Sequence, residues 1–131
     1  MQPPKNIKVT EWPASTIWFE DGVLYSKAKP ISVIQTKEEI QKQMEDLRKL
    51  TGNKKTCMIL ETNHSAPPPK KEDRDWIAKE LDSVTKAMAI ISTSPLSRMI
   101  ANLFFGFKPP VYPVRFCADE KEAKEWIKKY L

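Results

Sequence analysis

The chain has 131 residues, 40% of them apolar and 30% charged, a balance that indicates one soluble globular domain and excludes a disordered chain. Its net charge of +5 favours an acidic partner. The basic residues are nevertheless scattered over predicted helix faces and loops, so we do not expect nucleic-acid binding. No apolar run approaches the ~20 residues that span a bilayer, and residues 1–9 lack the apolar centre of a signal peptide. We therefore expect a cytoplasmic protein with no membrane span.

No internal repeat or change of composition divides the sequence. We predict a single domain over residues 1–131, with residues 1–6 as a loose leader. The two cysteines, Cys57 and Cys117, both lie in apolar, strand-like runs. Buried free thiols are the usual state of such residues in the cytoplasm, so no disulfide is expected.

The N-terminal part of the sequence predicts an antiparallel unit. Ile7–Trp12 has the pattern of a short edge strand that Pro13 ends. Asp21-Gly22 then separates two strand-like runs, and this pair favours a two-residue type I′ hairpin turn. The register that such a turn imposes brings apolar side chains together across the strands, Trp18 with Tyr25 and Phe19 with Leu24.

Strand-like and helix-like patterns alternate through the rest of the chain. Thr36 and Glu39 form a capping box that opens a helix, which Gly52 ends. Ala87–Ser92 is an apolar run typical of a strand buried on both faces, and a helix over 95–107 follows it. The other predicted elements are extended segments at Ile31–Ile34, Thr56–Leu60 and Val111–Ala118, a helix over Glu72–Lys86, and a last helix capped by Asp119 with Ala123, Trp126, Ile127, Tyr130 and Leu131 inward.

This order of elements predicts an α/β fold. Alternating strands and helices favour a mixed, mostly parallel sheet, with the N-terminal hairpin as its antiparallel part and about four helices around it. The strand Ala87–Ser92 and the helix after it are expected at the centre of the domain.

Four stretches resemble a known family of small bacterial proteins, the SpoIIAA-like (STAS-like) proteins of unknown function. The likeness covers about Thr16 to Leu131 and is carried by Ile17-Trp18-Phe19-Glu20-Asp21-Gly22-Val23-Leu24-Tyr25, by Ser94-Pro95-Leu96-Ser97-Arg98-Met99-Ile100-Ala101-Asn102-Leu103-Phe104, and by Pro113-Val114-Arg115-Phe116 with Asp119-Glu120-Lys121-Glu122-Ala123-Lys124-Glu125-Trp126. The resemblance implies a SpoIIAA-like β-α superhelical fold, a cytoplasmic bacterial setting and no established catalytic role. In the anti-sigma antagonists of that fold, a serine after a central strand is phosphorylated. The matching segment here, Asn63-His64-Ser65-Ala66, lacks their Asp-Ser-Ser-Gly pattern, so Ser65 is only a weak candidate for such a switch.

Catalytic chemistry has little support in the sequence. His64 and Ser65 are neighbours in a proline-rich loop, and no third group that would orient the histidine as a base is identifiable. A single histidine and the absence of a Cys-x-x-Cys pair argue against a metal site. Three glycines, at distant positions, provide no phosphate-binding loop. We therefore expect neither an enzyme nor a bound cofactor or metal.

Phe105 is the most informative residue for function. On a helical wheel it lies opposite the apolar stripe of its predicted helix, flanked by Arg98 and Ala101. Exposing its ring would forgo roughly 1.5–3 kcal/mol of burial. Four possibilities remain open for what buries the Phe105 ring: a second subunit, a protein partner, an apolar ligand, or the segment from Phe107 to Tyr112 folding back.

Two functional hypotheses follow from these residues. The first is a non-enzymatic regulatory or protein-interaction module, with an interaction surface formed by Arg98, Ala101, Phe105, His64 and Ser65. The second is a carrier of a small apolar ligand such as a lipid, suggested by analogy with other proteins of related fold and by the Met- and Phe-rich helix. An enzyme centred on His64 would require an activity that His64→Ala abolishes.

Overall fold

A mixed β-sheet forms the centre of the structure, a computed structural model that describes residues 1–30, 35–62, 70–92 and 110–131. In these residues the sheet has six strands, which are neighbours in the same order as in the sequence. The strands are β1 (Val9–Glu11), β2 (Ser15–Glu20), β3 (Val23–Ala28), β4 (Thr56–Glu61), β5 (Thr85–Ile91) and β6 (Val114–Cys117). The helices are α1 (Lys37–Thr51), α2 (Lys71–Val84) and α3 (Glu120–Ile127), the last followed by a 3-10 turn at Lys128–Tyr130.

The N-terminal hairpin has the predicted turn and register. Asp21 and Gly22 adopt φ angles of 51° and 80°, the left-handed conformation that a type I′ turn requires at both central residues. Strand β2 pairs antiparallel with β1 and with β3, with Phe19 opposite Leu24. Trp18 and Tyr25 also pair, and their rings stack with centroids 5.3 Å apart and planes within 4°. The two-residue turn therefore fixes which side chains meet across these strands.

Strands β3 to β6 are parallel, so the predicted mixed, mostly parallel sheet is confirmed. The predicted strand Ala87–Ser92 lies within the sheet, between β4 and β6. It begins two residues earlier than expected, because α2 ends at Val84 and the chain passes directly into β5. The β-branched Thr85 is 1% exposed and pairs with Thr56 of β4, so sheet pairing overrides the helical pattern that predicted a helix to Lys86.

The two faces of the sheet are covered differently. Helices α1 and α2 pack on one face, which we call the double-helix face; its buried core consists of Leu24, Met44, Leu47, Met58, Val84, Met88, Ile90 and Tyr112. Helix α3 packs on the other face, which we call the α3 face; its buried core consists of Trp18, Val23, Tyr25, Cys57, Ile59, Ala87, Ala89, Ile91, Cys117, Ala123 and Ile127. Met1 and Ile7 also pack against the α3 face, although residues 1–6, predicted as a loose leader, contain no helix or strand.

The predicted helix caps are present. Thr36 and Glu39 form a complete capping box, in which each side chain accepts a hydrogen bond from the other residue's backbone N–H at 3.2 Å. Gly52, at φ 64°, ends α1 in the left-handed conformation. Asp119 caps α3 by accepting the backbone N–H of Glu122 at 2.8 Å. The caps at Thr36 and Asp119 satisfy donors that the first turns leave without an intrahelical partner.

The C-terminal elements are shorter than predicted. Strand β6 begins at Val114 and not at Val111, since Pro113 has no N–H to donate, although its carbonyl accepts the Met88 N–H at 2.9 Å. Leu131, predicted inward, is 60% exposed. The 3-10 turn after Ile127 changes the angular period, so the α-helical spacing that predicted an inward Leu131 no longer applies there. Ala123 and Ile127 are buried as predicted.

Two predicted elements, the extended segment Ile31–Ile34 and the helix over 95–107, lie outside the described residues. The described part contains three of the roughly four helices expected, all in predicted places.

The capping box gives a direct test of α1. Thr36→Ala removes the oxygen that accepts the Glu39 N–H, so the free energy of unfolding should fall by about 1 kcal/mol in urea denaturation. Lys37 is an exposed neighbour with no capping role. Lys37→Ala should therefore change the free energy of unfolding by less than about 0.5 kcal/mol. Equal effects of the two substitutions would contradict a stabilising cap.

The small residues on the α3 face give a second test. Ala89 is fully buried in the same cluster as Ala123 of α3, so Ala89→Leu overpacks the layer and should lower the free energy of unfolding by about 1–3 kcal/mol. Ala118→Leu adds the same side chain at an exposed position after β6 and should have little effect. A neutral Ala89→Leu would mean that α3 does not pack closely on β5.

Candidate interaction surface

The carboxyl ends of β4 and β5 lie next to each other in the sheet. Glu61 and Ile91 are register partners at these ends, and the Thr62 N–H donates to the Ile91 carbonyl at 3.0 Å. The Ser92 N–H donates in turn to the Cys117 carbonyl of β6 at 3.2 Å. In open α/β sheets, ligands bind beyond the carboxyl ends of the parallel strands. We therefore take this end of the sheet as the candidate functional site.

All residues of the predicted interaction surface follow these two strand ends. His64 and Ser65 come directly after β4, while Arg98, Ala101 and Phe105 come after β5. These five residues, with Ser65 as a candidate phosphorylation site, lie outside the described residues, so their side-chain positions stay predictions. The topology does establish that both segments leave the sheet at neighbouring points, which spacing along the sequence did not reveal.

Several of the described polar groups at this end of the sheet are paired with one another. Lys29, just after β3, lies 2.9 Å from Glu11 and also donates to the Trp12 carbonyl at 2.7 Å. The hydrogen bonds from Lys29 and then Thr16 hold the pKa of the Glu11 carboxyl below its ordinary value. At the start of α3, Glu122 accepts the Ala118 N–H at 2.8 Å. These groups stabilise the ends of the strands.

The two cysteines are free and buried, as predicted, and they lie far apart in the sheet. Cys57 pairs with Ala87, and Cys117 pairs with Ile91 four residues further along β5. Two strand spacings and four residues separate them by about 16 Å, well beyond disulfide range. Burial is the main cause that raises the pKa of both thiols, which disfavours the reactive thiolate. Neither cysteine is placed to act as a nucleophile.

A cleft of about 330 Å³ lies between α2 and the segment before β6. Its lining is Asp75, Trp76, Ala78, Lys79, Asp82, Pro110 and Tyr112. Burial, with a smaller contribution from Asp82, raises the pKa of Tyr112 and keeps its phenol neutral. The three charged residues in this lining do not suit an apolar ligand, so the cleft gives the lipid-carrier hypothesis no support.

In residues 1–30, 35–62, 70–92 and 110–131, no three His, Cys, Asp or Glu side chains cluster closely enough to hold a metal ion. Within the same ranges, no helix is long and apolar enough to cross a membrane.

The chain belongs to the family described as Domain of unknown function (DUF7793), whose model matches residues 17–131. No curated protein matches it. Among solved structures it is similar to an uncharacterized protein of the DUF3478 family with a SpoIIAA-like fold from Shewanella loihica PV-4, at 14% identity and a TM-score of 0.56. That similarity covers 96% of this chain and 98% of the other. It confirms the SpoIIAA-like fold that the sequence resemblance implied, and at this identity it shows the fold alone.

The buried thiols lead to a prediction about reactivity. Because burial raises the pKa of Cys57 and Cys117, the folded protein should react with Ellman's reagent at neutral pH at least about 100-fold more slowly than the protein unfolded in guanidinium. Ala118→Cys, which places a thiol at an exposed position, should add one fast equivalent. Two fast equivalents in the folded wild-type protein would contradict the burial of these residues.

Proposed function

We propose that this chain is a non-enzymatic regulatory module that acts by binding another protein. Its interaction surface would comprise Arg98, Ala101, Phe105 and the segment 63–69, which contains His64 and Ser65. The observation that carries the proposal is topological: the segments that bear these residues follow the adjacent carboxyl ends of β4 and β5. A partner that contacts one segment would therefore meet the beginning of the other.

The pKa shifts of five described residues fit a binding role better than a catalytic one. Burial is the largest cause raising the pKa of Cys57, Cys117, Tyr25 and Tyr112, so each of these groups stays neutral and unreactive near pH 7. Lys124, whose pKa is raised by its hydrogen bond to Glu120, stays charged. A catalytic base or nucleophile needs a pKa close to the working pH, and these shifts go the opposite way.

The apolar side chain of Phe105 supports a protein partner. Its flanking residues, Arg98 and Ala101, combine a cationic group with a small side chain, a combination that suits the mixed composition of protein interfaces. The net charge of +5 favours an acidic partner surface. A second copy of the chain is included among the partners, since Phe105 would supply the same apolar group to both halves of a symmetric interface.

The test is Phe105→Asp, which replaces the apolar ring by a charge. We expect it to weaken self-association or partner binding at least about tenfold, because a buried aromatic residue commonly carries that much interface energy, while the fold stays intact. Sedimentation velocity over a concentration series measures self-association. Affinity capture from the source cells, with quantification of the bound protein, measures binding to other partners.

The matched control is Val111→Asp, which places the same charge at an apolar residue that is 74% exposed. It should leave both measurements unchanged. Circular dichroism and urea denaturation of the two variants check that the fold is retained. If the wild type is a monomer with no specific partner, or if both substitutions have the same effect, the proposed surface is wrong.

A further inference from the structure

Among the residues that the structure describes, none pairs with the backbone along the outer edge of strand β6. The Met88 N–H donates to the Pro113 carbonyl, and the Ser92 N–H donates to the Cys117 carbonyl. In a parallel ladder, the backbone N–H and C=O groups of every second residue bond to one neighbouring strand. In β6, the backbone groups of residues 113, 115 and 117 are the ones that point toward β5. The N–H and C=O groups of Val114 and Phe116 consequently point away from the sheet. Within the described residues no hydrogen bond reaches them.

The side chains along this edge alternate in character. Val114 and Phe116 lie on the double-helix face, partly buried against its core. Arg115 lies on the other side, where its side chain is 51% exposed and its Nη2 is 3.4 Å from Glu122 Oε1. An extended segment added beside β6 would thus place one side chain next to Arg115 and its two neighbours next to Val114 and Phe116.

The opposite edge of the sheet does not offer the same site. Strand β1 has only three residues. The backbone groups of Val9 and Glu11 are the ones that point away from β2. Glu11 is held by Lys29 at 2.9 Å, and Trp12 beyond it donates through its indole N–H to Asp46 of α1 at 3.1 Å. A short, charged strand tied to its neighbours is a common protection against strand addition.

We propose that the outer edge of β6 binds an extended acidic segment of a partner protein by strand addition. The occupant carries an acidic residue opposite Arg115, flanked by apolar residues that extend the surface of Val114 and Phe116. Charge complementarity selects this occupant, and the net charge of +5 acts in the same direction. A second copy of β6 fits poorly, because a two-fold antiparallel pairing that uses Val114 and Phe116 sets Arg115 opposite its own symmetry mate.

This edge uses none of the residues 63–69 or 93–109, so the inference and the proposed function can fail separately. The probe is the peptide acetyl-Ser-Thr-Val-Glu-Val-Thr-Ser-amide, with a control peptide in which Lys replaces the central Glu. Titration of the full chain, followed by NMR, should shift the amide signals of Val114 and Phe116 and slow their hydrogen exchange. The acidic peptide should bind about three- to tenfold more tightly than the basic one, as expected for an exposed ion pair.

Two variants separate the backbone and charge contributions. Phe116→Pro removes the outward N–H without touching the β5 ladder, and Phe116→Ala removes the same ring but keeps that N–H. The proline variant should bind the acidic peptide about tenfold more weakly than the alanine variant, as expected for one lost hydrogen bond and an unpaired acceptor. Arg115→Glu should reverse the preference between the two peptides.

Three results would overturn the inference. The first is saturation with the acidic peptide without any change at the Val114 and Phe116 amides. The second is equal binding by Phe116→Pro and Phe116→Ala. The third is a wild-type dimer in sedimentation that Phe116→Pro converts to a monomer, since the edge would then be occupied by a second copy.

Discussion

The burial of β4 and β5 on both faces is the constraint on which the rest of the structure depends. These strands are apolar along nearly their whole length, so each needs a layer on either side. Several side chains on one face of these two strands are larger than those on the other. Met58 and Met88 point to the double-helix face, while Cys57, Ala87 and Ala89 point to the α3 face. Large side chains support a layer of two helices, and small ones let one short helix approach the sheet closely.

This arrangement determines which parts of the molecule are open to a partner. Helix α1 is joined to α2 through Arg48, which pairs with Glu80 and lies 3.0 Å from Ser83. The double-helix face is thereby closed over much of the sheet. On the α3 face, Trp126 and Tyr130 pack side by side, with ring centroids 5.0 Å apart, and extend the cover beyond the buried residues of α3. Considering only residues 1–30, 35–62, 70–92 and 110–131, the sheet remains accessible at its carboxyl end and along its outer strands.

The fold was largely predictable because short-range rules determine most of its elements. Asp21-Gly22 specifies a turn type, the turn specifies the register, and the register brings Trp18 onto Tyr25. The boundaries that were wrong depend on longer-range contacts. Thr85 leaves the helical pattern because it pairs with Thr56, 29 positions earlier in the sequence, and no local rule contains that contact.

The candidate surface was less predictable for a related reason. A catalytic site requires particular residue types at particular spacings, whereas an interface requires only complementary shape and charge, which leave no short motif. His64 and Phe105 are 41 positions apart, and only the pairing of β4 with β5 relates the segments that contain them. The outward groups of β6 were likewise invisible in the sequence, because the direction of each N–H follows from the ladder and not from the residue type.

The length of β6 limits what its outer edge can bind. The strand has four residues, and Asp119 caps α3 two residues after it ends, so only Val114 and Phe116 offer outward backbone groups to a partner strand. An edge this short offers too few hydrogen bonds to bind any extended chain tightly. Side-chain selection by Arg115 is therefore needed to add both affinity and specificity. The same brevity that protects the edge makes its recognition depend on charge.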